Sequence, residues 1–299
     1  MAELKPGLII PLGSGNSELE SGMRKKRIAV ALVGVNRSLK FTWPSIEREL
    51  VVPFETGKFE VDYYLTLIDS GKFVSNPRSN ERGWLDMELP SAMENWKKSF
   101  VSRNLLTREA KDSHKAAEAL ETWSYDPSTK RNFHTYLLAL RHSHSIFLES
   151  EPYDGIIFAR PDILIAGALR VKWKLRLLFV LSTVHKSAGI YPFWQSWGGL
   201  NDRFAIMTGP AAQKYFRRVE QLSAPQTLQA GSSEQLALHS QKGSLKVPVI
   251  HTPMFRIRIG GETEPRDRRY FSRHPLRIFL SEVRERLREK RRLLKTVTR

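Results

Sequence analysis

Residues Tyr153–Asp162 read YDGIIFARPD. The core of this stretch, Gly155 to Ala159, is apolar and ends abruptly in Arg160, Pro161 and Asp162. Ile156, Ile157 and Phe158 favour a buried strand, and Pro161 cannot continue a hydrogen-bonded ladder. A core strand of this kind delivers a cation and a carboxylate to its carboxyl end. In an open α/β sheet that edge is where ligands bind, so Arg160 and Asp162 are the first candidate site residues.

Working outward, RIAVALVG (Arg27–Gly34) follows a basic cluster and reads as a buried first strand. Ile46, Leu50 and Val51 have helical spacing, and Pro44 with Ser45 suits a first turn, so a helix is expected over roughly Trp43–Pro53. FEVDYYLTLID (Phe59–Asp69) reads as a second strand. Strand, helix, strand implies a parallel sheet with a right-handed crossover, and the fold class is α/β with a mostly parallel central sheet. Gly34 would let backbone approach a ligand closely. Arg37 is either a bidentate donor to phosphate or carboxylate, or a solvated loop charge.

Residues 70–83 read as loop. LPSAMENWKKSF (Leu89–Phe100) and REAKDSHKAAEALETW (Arg108–Trp123) read as helical, and 132–150 as an amphipathic helix with Phe133, Tyr136, Leu137, Leu140 and Phe147 inward. His142 and His144 are two apart and do not share a helix face, which argues against a metal pair. Residues Leu169–Leu177 alternate apolar side chains with Arg170, Lys172, Lys174 and Arg176. That is either a strand with one basic face or a basic amphipathic helix reaching Val184. IYPFW (Ile190–Trp194) reads as a short strand. Gly198 and Gly199 form a turn before Asn201, Asp202 and Arg203, and Phe204–Met207 is another short strand. Gly209 and Pro210 open a helix through Glu220, and Ser232 or Ser233 caps one carrying Glu234. VPVIHTPMFRIRIGGE (Val247–Glu262) reads as a strand pair.

The 299-residue chain is 41% hydrophobic, enough for a packed core. It has no cysteine, which excludes disulfide staples, thiolate catalysis and Cys-ligated zinc. The Gly-rich LGSGNSE near the start lacks the Lys-Ser/Thr ending of a phosphate loop. No secretory signal is legible at the N-terminus, and no uncharged apolar run approaches the ~20 residues of a membrane span. The expected location is cytoplasmic, with peripheral contact at a membrane surface. The formal net charge is +17. From Pro275 onward Leu276, Phe279, Leu280, Val283, Leu287, Leu294 and Val297 fall at helical spacing among arginines and lysines. A basic amphipathic helix of this kind can lie on an anionic membrane, or pack on the domain with its basic side in water. The expected organisation is a flexible leader over 1–23, a catalytic domain over 24–272 and a basic C-terminal helix over 273–299.

Three clusters therefore end on one kind of edge: Gly34–Arg37, Arg160–Asp162 and Asn201–Arg203. Arginines and carboxylates together suit a phosphorylated ligand with a divalent cation. In this order, a strand ending in G-x-x-R, YDGIIFARPDILI, WGGLNDRFAIMTGPAAQKYF, SSEQLALH and FRIRIGG, the chain resembles GT-A-like glycosyltransferases of polysaccharide assembly. The resemblance spans about Arg27 to Gly261.

That resemblance implies a nucleotide-sugar-binding Rossmann-type sandwich and transfer of a hexosyl or deoxyhexosyl group from a nucleotide-sugar donor to a glycan or other hydroxyl acceptor. Asp162 falls where such enzymes place their metal-binding acidic motif, here reduced to one carboxylate, so Mn²⁺ or Mg²⁺ is the implied cofactor, with Arg160 taking over part of the cation's work. Gly34, Arg37, Arg160, Asn201 and Arg203 would lie by the donor. His251 falls where a late histidine approaches the diphosphate. Asp202 is the first candidate for general base and Glu234 the second. Asp162→Asn is expected to abolish transfer with the fold intact.

Nucleic-acid binding or cleavage is the rival class. The charge fits it, and Pro161-Asp162 is similar to a nuclease PD motif. The later acidic-x-Lys that such chemistry needs is absent, since that segment reads Val-Lys-Trp-Lys, and neither a zinc-finger pattern nor an RNA-recognition aromatic motif appears. A catalytically inactive scaffold docked on a membrane is the third reading.

Overall fold

The central strand of the molecule is buried from Ile28 to Gly34 and feeds two cores. Ala29, Ala31 and Val33 point to one, and Ile28, Val30 and Leu32 to the other. Burial on both faces is why this strand reads as a continuous apolar run rather than an alternating one. The computed structural model describes residues 24–69, 73–76, 81–85, 88–102, 118, 120–121, 123, 125–149, 152–193, 195–196, 199–222, 232–249 and 252–272, with helical positions at 277, 280, 283, 284 and 287.

In chain order the strands are β1 (Lys26–Gly34), β2 (Phe59–Asp69), β3 (Phe73–Asn76), β4 (Glu81–Trp84), β5 (Lys97–Ser102), β6 (Gly155–Ala159), β7 (Ile163–Ile165), β8 (Ala188–Pro192), β9 (Phe204–Met207), β10 (Leu245–Val249) and β11 (Met254–Arg256). The α-helices are α1 (Leu39–Ile46), α2 (Pro127–Ser143), α3 (Val171–Val184), α4 (Gly209–Phe216), α5 (Ser233–Ser240) and α6 (Pro265–Phe271).

Seven strands form one sheet in the order β10-β8-β9-β6-β1-β2-β5. β1 pairs in parallel with β2 and β6, β2 with β5, and β8 with β10, while β9 runs antiparallel to β6 and β8. The fold is thus a mixed α/β sandwich on a mostly parallel sheet, as the βαβ opening predicts. Helices α2, α4 and α5 cover the Ala29 face; α1 and α3 cover the Ile28 face. Two small sheets, β7 with β11 and β3 with β4, lie outside the main one.

The structure departs from the sequence reading in several places. Helix α1 starts at Leu39, not near Trp43, because the Ser38 carbonyl takes the N–H groups of Phe41 and Thr42 (2.9 and 3.1 Å). Pro44 then sits inside the helix, which runs on as a wide π turn over Glu47–Val51. Residues 97–100, the end of the stretch expected to be helical, belong to the edge strand β5. Its parallel ladder with β2 and the burial of Trp96 and Val101 override helical propensity. The expected loop after β2 contains the antiparallel pair β3–β4. Of the two readings left open for the stretch after Leu169, the helix reaching Val184 is the one that forms: α3 buries Val171, Leu175 and Leu178 at helical spacing. Strands β10 and β11 belong to different sheets and do not pair with each other.

The leader 1–23, most of 103–124 and His251 lie outside the described residues, as does the tail apart from its five helical positions.

Candidate active site

The carboxyl ends of β1 and β6 lie side by side, because the two strands are parallel with Leu32 opposite Ala159. Gly34 and Pro161 meet there. A Cβ at Gly34 would lie 2.9 Å from Pro161 Cδ, so the glycine makes room for the proline that ends β6. Strand β9 enters the same place from the opposite direction. Its register sets Phe204 opposite Ala159, and the Arg160 N–H donates to the Arg203 carbonyl at 3.0 Å. The antiparallel strand is therefore what joins the Arg160–Asp162 and Asn201–Arg203 motifs.

Asp162 is gripped from two sides. Arg160 Nε and Nη2 donate to its Oδ1 and Oδ2 at 2.9 and 2.6 Å, and Arg37 Nη2 lies 2.9 Å from Oδ2. Burial alone would raise its pKa, but Arg160 and Arg37 outweigh that and hold it well below the usual carboxylate range. Arg37 also donates to Glu81 at 2.9 Å, and Glu81 accepts from Arg258 (3.1 Å) and the Ile259 N–H (3.0 Å). Arg258 pairs in turn with Glu264. The short antiparallel β7–β11 sheet brings these late residues here: Arg256 lies opposite Ile163, and Ile257 N–H donates to the Asp162 carbonyl at 2.9 Å.

A second knot lies beside the first. Asp267, on α6, accepts from the Arg256 N–H (2.8 Å) and from Arg256 Nη2 (3.1 Å) and Gln195 Nε2 (2.8 Å), with Arg203 Nη1 at 3.6 Å. Arg203 also donates to Gln195. Burial, with the neighbouring Arg256, pushes the Arg203 pKa down to about 10. Asn201 accepts the Arg203 N–H at 3.0 Å, a local turn bond, which gives it a structural part in shaping the loop.

Asp202 and Glu234 form the remaining pair. Ser233 Oγ donates to Asp202 Oδ2 at 2.7 Å, and Tyr136 on α2 donates to the Asp202 carbonyl at 2.9 Å. Burial would raise the Asp202 pKa, but Arg160 and Arg203 hold it below its ordinary value. Glu234 goes the other way, pushed up to about 8 by burial and then by the charge of Asp202. Two carboxyl groups with separated pKa values are a pattern of acid–base chemistry. Glu234 stands in the first turn of α5, where the Ser232 side chain caps Gln235 N–H at 3.2 Å. Its carbonyl accepts from the Leu200 N–H at 2.8 Å, and the chain approaches so closely that a Cβ at Gly199 would sit 2.0 Å from that carbonyl oxygen.

The structure thus brings Gly34, Arg37, Arg160, Asp162, Asn201, Asp202, Arg203 and Glu234 into one connected region, and His251 is outside the described residues. It adds Glu81, Arg256, Arg258, Asp267 and Tyr136. FRIRIGG marked the two late arginines in the sequence without a role. Glu81 carried no signal, since it lay in a stretch that read as loop.

A divalent cation does not fit this set. Both Asp162 oxygens already face guanidinium groups, and among the described residues no three His, Asp or Glu side chains gather where an ion would sit. Among the described residues the implied Mn²⁺ or Mg²⁺ has no ligand set, and His251, the other implied ligand, lies outside them.

No protein-family model and no curated protein sequence matches the chain. Among solved structures, it is similar to mouse xyloside xylosyltransferase 1 in its apo form, at 14% identity and TM-score 0.40, covering 75% of this chain and 84% of that one. It is also similar to an active-site mutant of LgtC, at 11% identity and TM-score 0.39, and to the galactosyltransferase LgtC with donor and acceptor sugar analogs, at 12% and 0.38, each covering 74% of this chain and 72% of the other. No helix among the described residues is long and apolar enough to cross a membrane.

Proposed function

We propose that this chain is a glycosyltransferase that moves a hexosyl or deoxyhexosyl group from a nucleotide-sugar donor to the hydroxyl of a glycan acceptor in polysaccharide assembly. One observation carries the reading. At the carboxyl edge of the sheet three carboxylates are sealed while four of the arginines around them stay partly open, Arg203 being buried like the acids. Side-chain exposure is 3%, 1% and 0% for Asp162, Glu81 and Asp267, against 20%, 17%, 24% and 16% for Arg160, Arg37, Arg256 and Arg258. An approaching ligand therefore meets guanidinium forks whose geometry the buried acids hold. Forks of this kind match diphosphate oxygens in a bidentate way. The YDGIIFARPD and GGLNDRFAI resemblance points to the same ligand class.

In this reading the leaving group is a nucleoside diphosphate, and Arg37 and Arg160, which share one oxygen of Asp162, stabilise its developing charge. They do so without a metal ion, the cations being supplied by the chain itself. Glu234, rather than Asp202, takes the proton of the acceptor hydroxyl. A base works best with a pKa near the operating pH, and Glu234 is pushed up to about 8 while Asp202 is held down by Arg160 and Arg203. Asp202 then keeps Arg160 and Ser233 in place. The basic tail over 273–299 provides peripheral contact with an anionic membrane.

The testing experiment is a thermal-shift panel of nucleotides and nucleotide sugars, with EDTA and with Mn²⁺. Stabilisation by one nucleotide class is expected, about 2.7 kcal/mol at a hundredfold excess over Kd, and equal in EDTA. Stabilisation that appears only with Mn²⁺ would overturn the metal-free site. No stabilisation by any member would remove the transferase reading and leave the inactive scaffold.

A further inference from the structure

Helix α3 packs Val171, Leu175 and Leu178 on the sheet and turns a second apolar row outward. Trp173, Val180 and Val184 are 60%, 66% and 89% exposed. With Arg176, also exposed, they fall three and four residues apart and so share one face. The surrounding sequence is one-sided in charge. From Ile163 to Asn201 there is no Asp or Glu, while Arg170, Lys172, Lys174, Arg176 and Lys186 are present. Of these, Lys174 is buried and donates to the Leu169 carbonyl, which leaves the others for the surface. Lys172 Nζ reaches Thr56 Oγ1 at 2.9 Å and ties in the turn that carries Val52, itself 48% exposed.

We propose that the outward face of α3 is a docking surface for an anionic lipid bilayer, with Trp173, Val180 and Val184 entering the headgroup boundary and Arg176, Lys172 and Lys186 meeting lipid phosphates. The charge complementarity selects an anionic partner, and the apolar row selects among anions. Aliphatic side chains gain only by leaving water, and a bilayer offers an apolar layer directly beneath its phosphates. Nucleic acid supplies the phosphates without that layer. A tryptophan flanked by cations is the side-chain set that settles at a membrane interface. The helix begins nine residues after Asp162 and ends just before β8, which runs parallel to β10 and in the same sense as β6. Its Trp173 end is therefore at the sheet edge that holds the arginine cluster. Docking here sets that cluster beside the lipid surface, within reach of an acceptor held there. The docking surface itself does not depend on the transferase reading.

The test uses the full chain and co-sedimentation with vesicles of phosphatidylcholine, with and without one-third phosphatidylserine. The wild-type chain is expected to bind the anionic vesicles, and the combined variant Trp173→Gln, Val180→Gln, Val184→Gln to bind at least tenfold more weakly with its melting temperature unchanged. Arg176→Glu is expected to weaken binding to the anionic vesicles alone. A triple variant that binds as tightly as wild type would leave the contact to the basic tail or another surface alone and overturn the proposal. It is also overturned if the wild-type chain does not bind the anionic vesicles, in which case loss of self-association by the variant in sedimentation velocity would assign the face to a second copy, or if random duplex DNA is bound more tightly than the vesicles.

Discussion

Arg160 folds back onto Asp162 two residues later, Nε and Nη2 to Oδ1 and Oδ2 at 2.9 and 2.6 Å, so the strand end carries an ion pair closed on itself. The pair shows how the site is built: the acid beneath orients the cation, and the cation faces outward.

Asp162→Asn is expected to destabilise the protein by about 3 kcal/mol, because Arg160 loses its ion-pair partner and Arg37 is left with Glu81 alone. The expectation from sequence is an untouched fold; a side chain 3% exposed and shared by two arginines argues for a cost in stability as well. Since the folded-state pKa of Asp162 is depressed, its contribution is present above its ordinary value of 3.8 and is lost on acidification through the lower folded value. Urea denaturation of the variant against pH measures both effects.

Arg160→Lys is expected to weaken nucleoside-diphosphate affinity about tenfold while preserving charge, since an ammonium cannot reproduce the fork that reaches both Asp162 oxygens. Isothermal titration against the wild type is the check. Equal affinity in the lysine variant would mean that the guanidinium geometry is immaterial.

Glu234 gives a signed pH dependence. Its folded-state pKa is raised from 4.5 to about 8. The stabilisation from holding the proton is whole below pH 4.5, declines as pH rises, and is gone above about 8. Glu234→Gln should remove that decline from a plot of melting temperature against pH. It should also abolish transfer if Glu234 is the base, leaving nucleotide affinity within about twofold.

Gly199→Ala is expected to cost about 3 kcal/mol, at the upper end of overpacking, because the clash is with the Glu234 backbone and not with a movable side chain. Displacing that backbone also shifts Glu234 from its place beside Ser232 and Ser233. Thermal unfolding of the variant, with and without nucleotide, separates the two consequences.

The sequence by itself determined the α/β class, the parallel opening and the strand that ends in Arg160, Pro161 and Asp162, because all three rest on local pattern: long apolar runs, a proline stop and helix-length spacing. It also singled out Asp202, Arg203 and Glu234. Tertiary structure alone decided what these residues touch. Arg203 meets Arg160 because β9 runs antiparallel beside β6, a pairing between residues more than forty apart. Glu81 reaches Arg37 and Arg258 from a stretch that reads as loop, and Asp267 reaches Arg203 from the far end of the chain. The stretch after Leu169 reads equally as an alternating strand or as a helix to Val184, and packing chose the helix: a single side of the sheet needed Val171, Leu175 and Leu178 together, and only a helix brings them onto one face. Charge pairing and burial depend on distances in space, which is why a motif that reads as one acid for a metal ion folds into one acid for two arginines.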